Sequence, residues 1–451
     1  MNFWLSELKE RLFFDNPLSK GLIGLSSAAL GVLFLLLNKV QAGTEILAKT
    51  HRADLNSAVS NWIASLFRDT LAKKPGLLRN KLAQAIREYP WFVTPSPPTA
   101  RFHADPKLLL DGCISVLKSP SDNERGILCL RYSYIYPLFL KFFDAHRIAQ
   151  KYHLVIEPSW SGYCDLNILT LSSLETRVFV GSIEPRDSEF VRFVSPYFIP
   201  IPISGNTWID TRIFRPLPNV AKDIDVICVA SWSAYKRHWA IFRALHELKQ
   251  RGRTLRVALV GYSMELKLED IRRLAAQFQV DDCVELYERL SSAEVNELLN
   301  RSRVNLLWSR REGVNRAIIE GMAANVPCIV RAGFNYGFPY PYINEQTGRF
   351  CAERDLPDCL EYMIDHYQSF SPREWISSRM TPECSAVVLN DAIKEKAIRD
   401  GERWTTDAVP KLNSLDGLAY YYPEDRKKFD DDYHFLESML LSRPVGSSSA
   451  S

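Results

Sequence analysis

Two glutamates eight positions apart, Glu312 and Glu320, bracket the run EGVNRAIIE, and an earlier loop, WSAYKRH, carries Lys236 and Arg237. The apolar run before Glu312, Val304 to Ser309, reads as a strand, so Glu312 lies in a turn and Glu320 inside the next helix. A helix mouth opening with Gly313, Val314 and Asn315 offers backbone N–H groups, and Lys236 and Arg237 offer positive charge, with Ser231 at the preceding strand end. Backbone donors plus cations are what a diphosphate requires. A buried carboxylate accepts well from a ribose diol, which suits Glu320, and Glu312 at the loop tip is placed to reach the hydroxyls of a sugar.

The elements that must position these residues follow from alternation. Strands DVICVA, LRVALVG, CVELY, VNLLWS and PCIVR alternate with helices at His238 to Gln250, Leu268 to Phe278, Ala293 to Arg301 and Asn315 to Ala324. Such alternation predicts a parallel sheet with crossover helices. Ser291 with Glu294 three residues on is a capping box. In open parallel sheets the ligand sits beyond the carboxyl ends of the strands, where the Lys236 and Glu312 loops fall. Upstream, GILCL, HLVIE, RVFVG and FIPIPI, with a helix expected over Tyr136 to Gln150, predict a second α/β sheet. The loop EPSWSGYCD after HLVIE supplies acceptor candidates Ser159, Tyr163 and Asp165, the last also reading as a helix cap.

The 451 residues, 46% hydrophobic and 24% charged, exceed one hydrophobic core and predict two domains. With 56 basic and 53 acidic residues intermixed, there is no basic stripe for nucleic acid. Nine scattered cysteines without a CxxC pair, and histidines in no HxxH or HExxH arrangement, predict no disulfide framework, no metal and a cytoplasmic setting. Val260-Gly261-Tyr262 is not a GxGxxG loop, which counts against a nicotinamide-dependent dehydrogenase. The uncharged run Gly21 to Leu37 resembles a membrane segment. As a helix it would reach roughly 26 Å, just short of a ~30 Å hydrocarbon core. It could therefore span a thin bilayer, lie partly in one, or pack on the body of the protein.

The expected organisation is a hydrophobic, membrane-attaching segment over 1–40, adapter helices and a Pro-rich linker over 41–104, an acceptor domain over 105–216, a donor domain over 217–380, and helices with a disordered tail over 381–451.

The stretch Val229 to Phe350 resembles the donor domain of the retaining GT-B glycosyltransferases called glycosyltransferase family four. The likeness rests on the Lys236 loop, Val260-Gly261, CVELY followed by SSAEVNELL, the spaced glutamates, GMAANVPCIV and Thr347-Gly348. WIDTRIFRP (Trp208 to Pro216) is similar to that family's interdomain element. The resemblance implies two Rossmann-like domains facing across a cleft and a metal-independent transfer, without cofactor, from a nucleoside-diphosphate sugar to a glycan, lipid-linked or protein acceptor. It implies retention of configuration and a place in polysaccharide, glycolipid or glycoprotein assembly. Matching positions assign Glu312 to the donor sugar, Glu320 to the ribose and Lys236 to the diphosphate. The chain departs where Ala230 or Ser231 stands in place of the usual arginine; Arg237 or the Arg310-Arg311 pair are the cations nearest to replace it. It also lacks a glycine-rich loop after GILCL, and Val155-Ile156 stands where some members place a histidine before Glu-Pro. A catalytically idle homologue serving as a partner subunit, or a nucleotide-sugar epimerase, are the competing expectations.

Overall fold

The computed structural model describes residues 16–53, 57–158, 164–310, 312–333, 340–414 and 417–441, with positions 5, 8, 11 and 12. The chain divides into two compact units, one built on Leu8–Gly205 with Ser385–Ser451, the other on Asn206–Cys384.

In the first unit four helices precede the sheet: α1 (Pro17–Leu36), α2 (Val40–Ala53), α3 (Ala58–Leu71) and α4 (Leu77–Phe92). The Asn16 side chain caps α1, accepting from the Leu18 and Ser19 N–H groups at 3.0 and 3.3 Å. A turn at Asn38 folds α2 back along α1. Residues 72–76 separate α3 from α4.

The sheet that follows has the order β1 (Ile114–Lys118), β2 (Gly126–Arg131), β3 (Tyr152–Glu157), β4 (Val178–Gly181), β5 (Phe198–Ile201). Strand β1 is antiparallel to β2, and the other pairings are parallel. The sequence reading missed β1 because its run ends in a lysine; Lys118 is buried and held by Glu124 at 2.6 Å. The single helix expected over Tyr136 to Gln150 is two, α5 (Ile135–Phe142) and α6 (Ala145–Lys151). Asp144 makes the break by capping α6, its carboxylate accepting from the Arg147 N–H at 3.1 Å. After β4 comes α7 (Pro185–Val194).

The second unit holds six parallel strands, β6 (Ile224–Val229), β7 (Val257–Gly261), β8 (Val284–Glu288), β9 (Ser302–Leu307), β10 (Cys328–Arg331) and β11 (Gly348–Cys351). Helices α8 (His238–Gln250), α9 (Leu268–Gln277), α10 (Ser292–Arg301) and α11 (Arg316–Ala323) connect the first five, and α12 (Leu356–His366) follows β11. All five predicted strands and four predicted helices are present; β11, whose sequence GRFC carries no apolar run, was not read. The order β11-β10-β9-β6-β7-β8 is the Rossmann arrangement, and it reverses between β6 and β9.

The chain then returns to the first unit. Helix α13 (Pro382–Arg399) begins at the boundary, and the antiparallel pair β12 (Lys411–Asn413) and β13 (Leu418–Tyr420) and helix α14 (Asp430–Ser438) follow. Glu402 meets His153 at 3.1 Å, Lys411 Nζ lies 2.8 Å from the Glu157 carboxylate, and the Tyr420 hydroxyl donates to the Val116 carbonyl at 2.8 Å. The expected helices are present, and the segment packs into the first unit, where β12 and β13 form a two-stranded sheet of their own. The expected disorder of its tip falls on 442–451, outside the described residues. The division between units falls at Gly205/Asn206, earlier than the expected 216/217. The Asn296 and Asn300 side chains explain the shift, accepting from the Arg215 and Leu217 N–H groups at 3.1 and 2.7 Å and tying that segment to α10.

Candidate functional site

Within the second unit the loops after β6 and β9 lie at the point where strand order reverses, the place where an open parallel sheet parts to admit a ligand. They are tied together: the Arg310 N–H donates to the Tyr235 carbonyl at 2.7 Å. Lys236 ends a short helical turn, Ala234–Lys236, that the Glu265 carboxylate anchors by accepting from the Ala234 N–H at 3.1 Å.

Lys236 forms a buried ion pair with Glu312, and the Ser309 hydroxyl donates to the same Glu312 oxygen, Oε1, at 2.6 Å. The two residues that the sequence separates by a strand, a helix and more are thus one cluster. Burial works against the Lys236 ammonium, but the Glu312 carboxylate, with Tyr235, outweighs it and holds the pKa above the ordinary lysine value. Lys236 stays charged.

Glu320 lies in α11, buried, and Arg316 one turn earlier pairs with it. Burial raises its pKa, and Arg316 opposes that rise. The helix can sit this close to the sheet because residue 321 is glycine: a Cβ there would fall 2.2 Å from the Asn305 side-chain nitrogen. Asn305 in turn donates to the Ala317 carbonyl at 3.0 Å, fixing α11 on β9.

The remaining candidates are placed as follows. Asn315 caps α11, its side chain accepting from the Ile318 N–H at 3.1 Å. Gly313 and Val314 are held by their carbonyls, which accept from the Tyr340 hydroxyl and the Asn206 amide. Ser231 is buried with its hydroxyl 3.3 Å from that of Ser233. Arg237 has a left-handed backbone (φ 58°) and its guanidinium is buried against Glu353 and over the Trp239 ring, so it is engaged apart from the Lys236–Glu312 pair. Of the two other arginines expected to replace the missing one, Arg310 is buried beside Tyr235, and Arg311 lies outside the described residues. Trp232 is fully buried, packed at the edge of the His238 ring.

In the first unit, Asp165 caps the turn Leu166–Leu169 and pairs with Arg52 at 3.4 Å, the structural role that competed with its acceptor role. Ser159 and Tyr163 lie outside the described residues. Glu157, at the start of the expected acceptor loop, is fully buried between Lys411 and Asn413.

Sequence reading missed Ser309, Arg316, Asn206 and Tyr340. The spacing of four between Arg316 and Glu320 on one helix could have revealed that pair; Asn206 and Tyr340 carry no local signal. Among the described residues no group of three or more His, Cys, Asp or Glu is arranged to hold a metal ion.

Residues 210–369 match the family model described as glycosyl transferases group 1. No curated protein matches the chain. Among solved structures, sucrose-phosphate synthase from Thermosynechococcus elongatus is similar at 14% identity over 60% of this chain and 72% of that one, with a TM-score of 0.46. The C-terminal domain of the glycosyl transferase group 1 family protein LpcC from Francisella tularensis is similar at 14% identity over 38% of this chain and 98% of its own, with a TM-score of 0.33. HepE from Anabaena, in complex with UDP and glucose, is similar at 11% identity over 57% of this chain and 80% of its own, with a TM-score of 0.44. The stretch matched by the glycosyl transferases group 1 model contains Lys236, Glu312 and Glu320 together.

Proposed function

We propose that this protein transfers a hexosyl-type sugar from a nucleoside-diphosphate sugar to an acceptor, with retention of anomeric configuration and without a metal. The observation that carries the reading is the Lys236–Glu312–Ser309 cluster at the strand-order reversal, with Glu320 on the adjoining helix. Lys236 is the charge that stabilises the diphosphate as the bond to the sugar breaks, a role whose loss costs about 100- to 1,000-fold in rate when a comparable stabilising group is removed. The diphosphate and Glu312 compete for the same ammonium, so donor binding releases the Glu312 carboxylate toward the sugar hydroxyls. Glu320, held in place by Arg316, accepts from the ribose diol. Attachment to a membrane through residues 21–37 suits a lipid-linked or membrane-proximal acceptor and a part in polysaccharide assembly.

The test is thermal-shift and calorimetric titration of the full chain with UDP, GDP, ADP and their sugars, beside Glu320→Gln and Glu312→Gln, which preserve shape. A ligand that binds only the folded state adds about 2.7 kcal/mol at a hundred times its dissociation constant. Stabilisation by one nucleotide, weakened in Glu320→Gln, supports the donor site. Silence with every nucleotide favours the idle homologue, a reading that the serine at position 231 and the engagement of Arg237 by Glu353 also support. Donor turnover that needs no acceptor would instead favour an epimerase or hydrolase.

A further inference from the structure

Helix α1 is long and apolar enough to cross a bilayer, yet it is packed along one flank and bare along the other. Its inner flank, Ala28, Gly31 and Leu35, packs on α2, α3 and α4. The approach to α2 is backbone to backbone: a Cβ at Gly43 would lie 2.7 Å from the Gly31 carbonyl oxygen, and one at Gly31 would lie 2.9 Å from Leu47 Cγ. The outer flank exposes Leu22, Leu25, Leu30, Leu33 and Leu36, and beside it an apolar groove of about 610 Å³ ends at Trp62, itself exposed. Only 17% of the most apolar stretch is buried, which a core helix of a soluble unit would not tolerate.

We infer that α1 lies in the plane of one leaflet of an anionic bilayer, inserting its Leu22–Leu36 flank among the acyl chains while α2 holds the opposite flank at the surface. The inference rests on the membrane attachment proposed above and specifies its form. Between Asp15 and Glu45 the sequence has no carboxylate, and its charges are Lys20 and Lys39, one at each end of the apolar run. Lys81 adds a third positive group at the Lys39 end through its contact with Asn38. Cations at both ends of an apolar flank match a surface of negative headgroups over hydrocarbon better than they match an apolar protein groove. The polar group on the bare flank is compatible with lipid: the Ser26 hydroxyl donates to the Leu22 carbonyl of its own helix at 2.8 Å.

Spanning is disfavoured by the partner on the packed flank. Helix α2 runs back beside α1 and carries Glu45 and Lys49, 3.4 Å apart, while α3 carries Arg68 and Asp69. Threading α1 through the bilayer would either draw these charges toward hydrocarbon, at about 2.5–3.5 kcal/mol each at the centre, or tear open the glycine contact. Lying in the interface, ~5–10 Å deep, does neither.

The experiment is flotation of the full chain with vesicles of phosphatidylcholine alone or with phosphatidylglycerol, beside the double variant Leu25→Asp/Leu33→Asp, whose side chains face outward. An epitope tag before Met1 and protease added outside the vesicles report topology. The expected result is flotation strengthened at least tenfold by phosphatidylglycerol and reduced by salt, lost in the double variant at unchanged melting temperature, with the tag fully cleaved. Flotation with a protected tag overturns the in-plane arrangement and leaves attachment standing. No flotation on either lipid overturns both, as does a concentration-dependent dimer, dissolved by the double variant, in place of vesicle binding. Flotation unaffected by the double variant assigns binding to another surface and overturns the inference.

Discussion

The two larger sheets are built from the same βα unit and differ in strand order. In the Asn206–Cys384 unit the order reverses between β6 and β9, and the loops after those strands bring together Lys236, Ser309 and Glu312. In the other unit β2, β3, β4 and β5 lie side by side in sequence order with no reversal. Right-handed crossovers between such neighbours put their helices on one face. The face of β3 that carries His153 and Glu157 is met by residues of the C-terminal return, and its charged groups at the strand end are spent on each other: Glu157 is locked to Lys411. A reversal separates adjacent loops and leaves room for a ligand. A sequential sheet has no such gap, and its polar strand ends serve assembly.

The largest effect should come from breaking that assembly. Lys411→Met leaves Glu157 buried without its cation, a change that costs about 3–5 kcal/mol. Urea unfolding should lose that much, with much of it regained in Lys411→Met/Glu157→Gln; a loss under ~1 kcal/mol would mean that the C-terminal return is not a clamp. In the other unit, Glu312→Gln should lower transfer by about 100- to 1,000-fold with a small change in melting temperature. If instead it unfolds the unit and spares the rate per folded molecule, the cluster is structural and the contrast between the sheets collapses.

A smaller, pH-dependent effect belongs to Glu184, at the head of α7 after β4. Burial, and then the neighbouring Asp187, push its pKa up to about 7. The unfolded chain holds this proton more weakly than the folded one, so the contribution of Glu184 to stability is fully present below pH 4.5 and is lost as pH rises through 7. Glu184→Gln should therefore raise stability by about 2 kcal/mol at pH 8 and leave it nearly unchanged at pH 5; an equal change at both pH values would refute the titration. The smallest effect is expected at α10, where Ser291 accepts from the Glu294 N–H and Glu294 reaches back to the Ser291 N–H at 2.7 Å. Ser291→Ala should cost about 1 kcal/mol in melting experiments, and a neutral result would place the strength of that helix in its packing alone.

The donor-side elements were legible because their signals are local. Alternating apolar runs, the Ser291 capping box and the spacing of Glu312 and Glu320 each occupy one strand, loop or helix, and the structure keeps them within a residue or two of where the sequence puts them. The first unit was less legible. Strand β1 hides behind Lys118, whose charge is neutralised only by Glu124 across a turn, and α5 parts from α6 because Asp144 caps the second helix. The structural role of Asp165 was readable as a cap, but its pairing with Arg52, more than a hundred residues away, was not.

What the sequence alone determined is therefore the set of elements and the residue types at their ends, since helical and strand periods and caps act over a few neighbours. Tertiary structure decided which ends meet. Lys236 and Glu312 became one ion pair because β6 and β9 are neighbours in the sheet. Glu157 became a buried anchor because the chain returned from residue 411 to neutralise it. Charges find partners by distance in space, and only the packed sheets set that distance.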